Sequence, residues 1–342
     1  PVLHGLTVGL SSGTSGHRGL FLLSPAEQAA WAGTILARAL HGMPTRRLRV
    51  AFFLRSNSNL YEQTNGKLVR FRYFDLMTPL REVHKALEHF QPTIVVGPPS
   101  LLHMLAQAKQ DGTLHIAPAR LISVAEVLEP QVQNHIELAF AAPVHQIYQC
   151  TEGLLAVSCR AGSLHVQEDI VRLQWEPLRD DEQTDVHRYA PIVTDLWRTT
   201  QPIIRYRLDD VVQLDPRPCA CGSDWQVIGA IEGRCDDVCW FEREEGGQRP
   251  FFPDTLRRML LLSSAAILDY EIIQGHDGAL TVHLSLPPAV DSATLFKTVR
   301  TSIDTTIRGY GCRTPELKID AALVLPPPGT KRRRVQHRST LP

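Results

Sequence analysis

Residues 11–16 carry the sequence Ser11-Ser12-Gly13-Thr14-Ser15-Gly16, directly after an apolar run at 6–10 that predicts a β-strand. A loop of this composition offers backbone N–H groups and short hydroxyl donors, which are the groups that wrap a polyphosphate. The Gly-Lys-Ser/Thr ending of a Walker A loop is absent, which argues against a P-loop NTPase. Taken alone, the segment fits a phosphate-binding loop or a polar surface turn.

The first half of the chain alternates strand-like and helical patterns. Ser24-Pro25-Ala26-Glu27 is a capping box that opens a helix to about residue 40. Further helices are predicted over 79–90, 100–109 and 130–138, and strands over 48–54, 93–96, 121–124 and 144–148. This alternation predicts β-α units around a mainly parallel sheet.

The rest of the chain has a different texture. Residues 165–214 are β-rich, and 267–325 contain two strand-like runs, a helix over 291–308 and a final strand over 317–325. The predicted fold class is therefore α/β, a large domain with mainly parallel sheets flanked by helices plus a β subdomain, and a small α+β C-terminal domain. The predicted boundaries are 1–233 for the large domain, about 159–230 for the β subdomain, and 236–342 for the C-terminal lid domain.

Composition excludes several classes of partner. Lys plus Arg equals Asp plus Glu at 36 each, so net charge gives no global attraction to nucleic acid or to an anionic membrane. The 7 cysteines are an odd number, which disfavours a disulfide framework. We expect a cytoplasmic protein without a membrane span. Because the chain opens almost directly on its first motif, we also expect an N-terminal part of the large domain to be missing.

A second motif, Tyr148-Gln149-Cys150-Thr151-Glu152-Gly153, stands at the end of a predicted strand. An aromatic face can stack on a purine base, a hydroxyl can reach a phosphate, and a carboxylate can hold Mg²⁺. Without further context, Tyr148 also fits a core residue and Glu152 a solvated loop acid.

Together these segments resemble the phosphate-binding loop and the Tyr-x-x-Thr-Glu signature of the adenylate-forming superfamily, which includes acyl-CoA synthetases, luciferases and peptide-synthetase adenylation domains. The resemblance implies that residues 11–16 bind the ATP phosphates, that Tyr148 stacks on adenine, that Thr151 contacts the α-phosphate and that Glu152 holds Mg²⁺. Two further segments match in the expected order: Pro202-Ile203-Ile204-Arg205-Tyr206-Arg207-Leu208-Asp209-Asp210 and Ile231-Glu232-Gly233-Arg234-Cys235-Asp236-Asp237.

In these segments the resemblance assigns each role to one residue. Asp210 is expected to bind the ribose hydroxyls, with Asp209 in the place of the usual Gly. Arg234 is expected to face the nucleotide, and Asp236 marks the hinge. Ala125-Glu126 occupies the place of a backbone turn that contacts adenine.

Within the superfamily the chain is most similar to the phenylacetate-CoA ligase-like branch, which is marked by the run Pro218-Cys219-Ala220-Cys221-Gly222. With Cys159 and His165, as in metal-carrying members, Cys219 and Cys221 would complete a closed tetrahedral Zn²⁺ site of structural type. The alternative is a set of buried free thiols.

Gly329-Thr330-Lys331 lies where related enzymes carry a Gly-Lys near the C-terminus. In those enzymes the ammonium stabilises charge that develops on the carboxylate and the α-phosphate. Lys331 is therefore the candidate catalytic lysine, although the inserted Thr330 breaks the usual adjacency. The alternative is a solvated basic tail.

The resemblance implies ATP-dependent adenylation of a carboxylic acid, followed by transfer of the acyl group to coenzyme A. The cofactors are then ATP, Mg²⁺ and coenzyme A, with a structural Zn²⁺. The alternatives are adenylation alone, with the acyl-AMP passed to a carrier protein, an amine or a reductase, and a non-catalytic nucleotide-binding protein. The family suggests an aromatic acid, for which the sequence offers apolar aromatic surface or simply core residues at Phe52, Phe53, Tyr61, Phe71 and Tyr73.

Overall fold

A computed structural model describes residues 2–10, 20–41, 46–54, 68–76, 78, 80–178, 187–288, 290–324 and 333–338. The helices in these ranges are α1 (Pro25–Leu40), α2 (Leu80–Phe90), α3 (Pro99–Gln110), α4 (Pro130–Phe140), α5 (Pro253–Leu261) and α6 (Ser292–Gly309). The strands up to Asp195 are β1 (Val2–Leu3), β2 (Leu6–Leu10), β3 (Leu20–Leu23), β4 (Leu48–Leu54), β5 (Val69–Asp75), β6 (Ile94–Gly97), β7 (Arg120–Ser123), β8 (Val144–Cys150), β9 (Gly153–Ser158), β10 (Leu164–Val166), β11 (Val171–Pro177) and β12 (Arg188–Asp195). The remaining strands are β13 (Tyr206–Arg207), β14 (Asp210–Asp215), β15 (Val227–Arg234), β16 (Cys239–Glu242), β17 (Gln248–Phe251), β18 (Asp269–Gln274), β19 (Leu280–Ser285), β20 (Leu317–Asp320) and β21 (Val335–His337).

The central feature is a 12-stranded sheet made of a parallel half and an antiparallel half. Strands β5, β4, β6, β7 and β8 lie side by side and pair in parallel. From β8 the sheet continues through the antiparallel strands β9, β10, β15, β14, β12 and β11. The predicted β-rich region is therefore continuous with the parallel sheet.

The two faces of the parallel half bury different residues because side chains alternate along a strand. In β4, Val50 and Phe52 pack toward α1, whereas Ala51 and Phe53 pack toward α2, α3 and α4. The strands are apolar on both faces because helices cover both sides, as expected for parallel sheets. The α/β class predicted from the alternation of elements is confirmed.

Helix α1 begins as its sequence predicts. The Glu27 backbone N–H donates to the Ser24 hydroxyl at 3.3 Å, and the Ser24 N–H donates to the Glu27 carboxylate at 2.8 Å. Both halves of the capping box are present, so two N–H groups that helix geometry leaves unpaired are satisfied. The helix begins immediately after β3, which pairs with β2 as an antiparallel hairpin.

The elements after β15 build a separate core. A four-stranded sheet in the order β20-β19-β18-β21 packs against α5 and α6, and buried residues from Cys239 to Val335 form one cluster. Asp291 is the N-cap of helix α6, and its carboxylate accepts the Ala293 N–H at 3.1 Å. The predicted final strand ends early, at Asp320, because that side chain accepts the Ala322 N–H and turns the chain. Among the described residues, no helix is both long and apolar enough to cross a bilayer.

Candidate functional site

The ends of β7 and β8 lie side by side and carry two of the predicted motifs. Beyond β7, Ala125 has a φ of 69°, a left-handed conformation that is rare for a residue other than Gly. The next residue, Glu126, accepts the Ser100 N–H at 3.3 Å through its carboxylate. Because β7 and β8 are parallel neighbours, this turn and the end of β8 meet at the same edge of the sheet.

At that edge, the turn between β8 and β9 carries Thr151 and Glu152. The Thr151 hydroxyl donates to the Glu152 carboxylate at 2.9 Å, and both side chains are half-buried. Burial and the Glu152 carboxylate raise the pKa of the Cys150 thiol well above its usual value, so this neighbour stays neutral. The turn therefore presents hydroxyl and carboxylate oxygens, the ligand type that Mg²⁺ prefers.

Tyr148 and Asp210 belong to different motifs and meet directly. The Tyr148 hydroxyl donates to the Asp210 carboxylate, with 2.6 Å between the oxygens. Burial, followed by the nearby Asp210 carboxylate, raises the pKa of Tyr148 well above 10.0. The phenol therefore remains a donor at physiological pH and holds the Asp210 carboxylate in one orientation.

Asp209, which stands where related sequences have Gly, has a contact of its own. Its carboxylate lies 3.4 Å from Nη2 of Arg234, and its carbonyl accepts the Cys235 N–H at 2.6 Å. The register of β14 and β15 pairs Asp210 with Arg234. The ribose motif and the hinge motif thus lie opposite one another on adjacent strands. Asp209, which replaces the usual Gly, provides the carboxylate of the ion pair with Arg234.

The hinge motif ends in a single 3₁₀ turn, Cys235–Asp237. Asp236 is exposed, whereas Asp237 is buried and forms an ion pair with Arg333, whose Nε lies 2.7 Å from Oδ1. Burial raises the pKa of Asp237 despite this guanidinium. A chain segment close to the C-terminus is therefore fixed beside the hinge.

A second contact joins the C-terminal elements to the large sheet. Glu129, the first residue before α4, is only 7% exposed and accepts the Tyr270 hydroxyl at 2.9 Å. Nη1 of Arg334 lies 3.9 Å from the same carboxylate oxygen, and its Nε donates to Asp269 at 3.1 Å. These contacts bridge the two cores, and the motifs in the sequence do not predict them.

The predicted zinc ligands come together in space. The ligand atoms of Cys159, His165, Cys219 and Cys221 all lie within 4.8 Å of one another. The Cys159 and Cys219 sulfurs are 3.7 Å apart, and the Cys221 sulfur is 3.4 Å from Nε2 of His165. A tetrahedral zinc with bonds of about 2.3 Å to sulfur and 2.0 Å to nitrogen requires sulfur–sulfur and sulfur–nitrogen separations of about 3.8 and 3.5 Å.

The surroundings of these four residues also fit a metal. Nδ1 of His165 lies 2.9 Å from the Trp225 carbonyl, so an Nδ1–H donated there leaves the Nε2 lone pair directed at the cysteines. Hydrogen bonds, the first of them from Ser163, lower the pKa of Cys219 to about 6 and favour its thiolate. The cluster crosslinks the β9–β10 turn to the segment after β14.

Other predicted residues are not part of this site. The structure does not describe residues 11–16, Tyr61 or Lys331. The strands before and after residues 11–16, β2 and β3, pair with each other as far as Leu10 and Leu20. Phe52, Phe53 and Phe71 are buried in the hydrophobic cores on the two faces of the sheet, and Tyr73 packs half-buried against one of them.

The chain was compared with protein-family models, curated proteins and solved structures. A scan against models of protein families finds no match. Among curated proteins, the chain is 28% identical over 134 residues to the protein CapK of Staphylococcus aureus, a match that covers 38% of this chain and only 28% of CapK.

Solved structures match over nearly the whole chain. A 2-hydroxyisobutyryl-CoA ligase, in the postadenylation state in complex with 2-HIB-AMP, superposes with a TM-score of 0.72 at 21% identity, covering 97% of this chain and 73% of that one. An anthranilate-CoA ligase in complex with anthranoyl-AMP gives 0.63 at 15% identity, covering 94% and 64%. The chain therefore has the fold of the adenylate-forming ligases.

The same 2-hydroxyisobutyryl-CoA ligase in its thioesterification state, with 2-HIB-AMP and CoA, gives a TM-score of 0.56 at 20% identity, covering 98% of this chain and 74% of that one.

Proposed function

We propose that this protein catalyses the ATP-dependent activation of a carboxylic acid as its acyl adenylate, and then transfers the acyl group to coenzyme A. The observation that carries the proposal is the convergence of three separate motifs at one edge of the sheet. Tyr148 contacts Asp210, and Asp210 lies opposite Arg234 in the register of β14 and β15. Thr151 and Glu152 lie in the turn at the end of β8, the strand that carries Tyr148. The fold of adenylate-forming ligases supports the same conclusion.

In the proposed reaction a substrate carboxylate oxygen attacks the α-phosphorus of ATP. The bond from that phosphorus to the oxygen bridging to the β-phosphate breaks, and pyrophosphate leaves with its electron pair. Both reactants are anionic, so the site must offset their repulsion while holding them in line. Mg²⁺, when bound, would supply positive charge at the phosphates.

Each residue then has a defined task. Asp210, oriented by Tyr148, accepts hydrogen bonds from the ribose hydroxyls, and the turn at Ala125-Glu126 contacts adenine. Thr151 donates to the α-phosphate, and Glu152 holds the magnesium ion. Arg234 faces the nucleotide, while residues 11–16 bind the phosphates and Lys331 stabilises the charge that develops during attack.

We further propose that residues 236–342 act as a lid that pivots at Asp236, and that the large domain comprises residues 1–233 with its β subdomain at about 159–230. Pivoting lets one site serve adenylation and thioester formation in turn. The separate core of the C-terminal elements supports this division. Zinc held by the Cys159, His165, Cys219 and Cys221 cluster is proposed to have a structural role, because four protein ligands leave no open position.

Aromatic carboxylates are our first proposed substrate class, as the resemblance to phenylacetate-CoA ligases indicates and as the anthranilate-CoA ligase neighbour supports. Short 2-hydroxy acids come second, because the other neighbour acts on one. Coenzyme A is the first proposed acceptor, and a carrier protein, an amine or a reductase is the alternative.

The test is ATP-pyrophosphate exchange across a panel of aryl and 2-hydroxy acids. Exchange should appear with one class of acid and fall at least about 100-fold in Glu152→Gln, because the variant loses the charge that holds the metal. Glu244→Gln, an exposed turn residue, is the matched control. If no acid supports ATP-pyrophosphate exchange while the protein still binds ATP, the proposed enzymatic activity is refuted and a non-catalytic nucleotide-binding protein is favoured. Formation of the acyl-CoA would exclude a reaction that stops at the adenylate.

A further inference from the structure

The segment that follows β12 makes an unexpected contact with the catalytic turn. Nη1 of Arg198 donates to the backbone carbonyl of Thr151 at 2.7 Å. The Arg198 side chain is only 9% exposed, and its Nε lies 3.8 Å from the Asp195 carboxylate. The N–H groups of Trp197 and Arg198 both donate to Asp195 at 2.8 Å. One aspartate therefore fixes the backbone and the guanidinium of this segment together.

The same segment is tied to the start of α1. Glu27 accepts the N–H groups of Thr199 and Thr200 at 2.7 and 2.8 Å, while its other oxygen completes the capping box with Ser24. Burial raises the pKa of this carboxyl, but the hydrogen bonds that it accepts outweigh burial and hold its pKa well below the usual range. The ionised side chain thus links helix α1 to the segment that carries Arg198.

A third link reaches the hairpin strand β3. The Leu22 N–H donates to the Gln201 side chain at 2.9 Å, and the Gln201 amide donates to the Leu20 carbonyl at 3.1 Å. Residues 195–201 therefore hydrogen-bond to three elements that lead into or out of proposed nucleotide-binding motifs: the hairpin, helix α1 and the Thr151 turn.

The turn itself depends on such support. Thr151 and Glu152 lie between β8 and β9, outside the strand ladder that orders their neighbours. A side chain at Gly153 would lie 3.3 Å from Val171 and 3.6 Å from the Asp195 carboxylate, so the turn packs directly against the segment. The guanidinium of Arg198 is a charged donor held in a fixed position. It binds the Thr151 carbonyl, which lies between the Thr151 hydroxyl and the Glu152 carboxylate that we propose act on ATP.

We propose that Arg198 is a positioning residue for the Thr151–Glu152 turn and that Asp195 and Glu27 hold Arg198 in place. This inference rests on the proposed function of the same site. Arg198 acts through the backbone, so its loss displaces the Thr151 hydroxyl and the Glu152 carboxylate without removing either group.

The kinetic test compares Arg198→Met, Arg198→Lys and the wild type by ATP-pyrophosphate exchange at varied Mg²⁺. We expect Arg198→Met to lower kcat by about 10- to 100-fold and to raise the half-saturating Mg²⁺, with the KM for the acid unchanged. Arg198→Lys should recover part of the loss because an ammonium keeps one donor. Arg172→Met, which removes an exposed arginine from the neighbouring strand β11, is the matched control.

A second measurement does not depend on activity. Hydrogen exchange of the peptide covering 150–154 should accelerate in Arg198→Met, while peptides from β18 and β19 keep their wild-type rates. Unchanged exchange at 150–154 overturns the proposal, whether or not the wild type forms adenylates. The proposal is also overturned if the lower kcat of Arg198→Met is fully explained by a smaller folded fraction and the half-saturating Mg²⁺ is unchanged. The two proposals can fail separately. If the wild type shows no ATP-pyrophosphate exchange but hydrogen exchange at 150–154 accelerates in Arg198→Met, the proposed function is refuted and the positioning role stands.

Discussion

The hydrogen bond between Tyr148 and Asp210 should be measurable in isolation. The oxygens are 2.6 Å apart, and the acceptor is a carboxylate, so the bond falls in the short, charge-assisted class. Bonds of this kind contribute about 1.5–3 kcal/mol to stability. Tyr148→Phe should therefore lower the free energy of unfolding by that amount, because it removes the donor and leaves the ring in place.

A double-mutant cycle with Asp210→Ala, which removes the acceptor, separates this bond from other effects of each change. Unfolding in urea would be followed by tryptophan fluorescence, which reports mainly the large domain because Trp31, Trp175, Trp197 and Trp225 precede the hinge. The coupling energy should be at least about 1 kcal/mol. Tyr206→Phe, a substitution at an exposed tyrosine near the same site, is the control.

The pH dependence gives an independent check. The pKa of Tyr148 is raised well above 10.0 in the folded protein by burial and Asp210. Its contribution to stability is therefore fully present below about pH 10 and is lost only as the pH rises toward the folded pKa. The coupling energy should be the same at about pH 7 and about pH 9. A value below about 0.5 kcal/mol, the level of independent sites, would refute our assignment of this bond.

Other predictions concern the metal cluster, the hinge and the lid. Cys221→Ser, or chelation of the wild type, should lower Tm by about 10 °C, since a crosslink that closes a loop of about 60 residues contributes about 4 kcal/mol; an unchanged Tm on calorimetry would contradict a structural zinc. Gly233 has a φ of 147°, and a Cβ there would lie 3.1 Å from a proline ring, so Gly233→Ala should cost about 1–3 kcal/mol in urea unfolding, whereas Gly309→Ala should cost nothing. Arg334→Met should increase the population of other orientations of the proposed lid by about 5- to 30-fold, because it weakens the contact with Glu129. Small-angle scattering identical to the wild type would contradict this role.

Much of the fold could be predicted because its signals are local. Strands β2 and β4 have the predicted bounds, and the capping box fixes the start of α1. Helix α5 was not predicted: its N-cap is Phe252, which makes no side-chain cap hydrogen bond, so the usual polar start signal is absent. Strand β5 and the β16–β17 hairpin were also missed, although apolar and charged residues alternate over residues 69–73 and Gly246-Gly247 lies between β16 and β17.

The site was predictable only where a motif is contiguous. The motifs name Tyr148, Thr151 and Asp210, but a sequence has no local pattern that reports a partner on another strand. Arg198 illustrates this limit, since its role depends on a carbonyl far away along the chain. Its Asp-x-x-Arg spacing from Asp195 is a signal for a local turn and gives no indication of the Thr151 contact.

Arg333 and Arg334 lie at the contact between the proposed lid and the rest of the protein. Arg333 pairs with Asp237, which follows the proposed pivot, so that ion pair moves with the lid. Arg334 and Tyr270 contact Glu129 across the two cores, and the Arg188 guanidinium lies 4.5 Å from the centre of the Phe252 ring, so rotation must break these contacts. Because Arg334 and Asp269 both belong to the proposed lid, we expect their bond to persist on rotation and Glu129 to become accessible to water. No charge would then be left buried without a partner, so we expect breaking the Glu129 contacts to cost about 1–2 kcal/mol rather than the 3–5 kcal/mol of a broken buried pair.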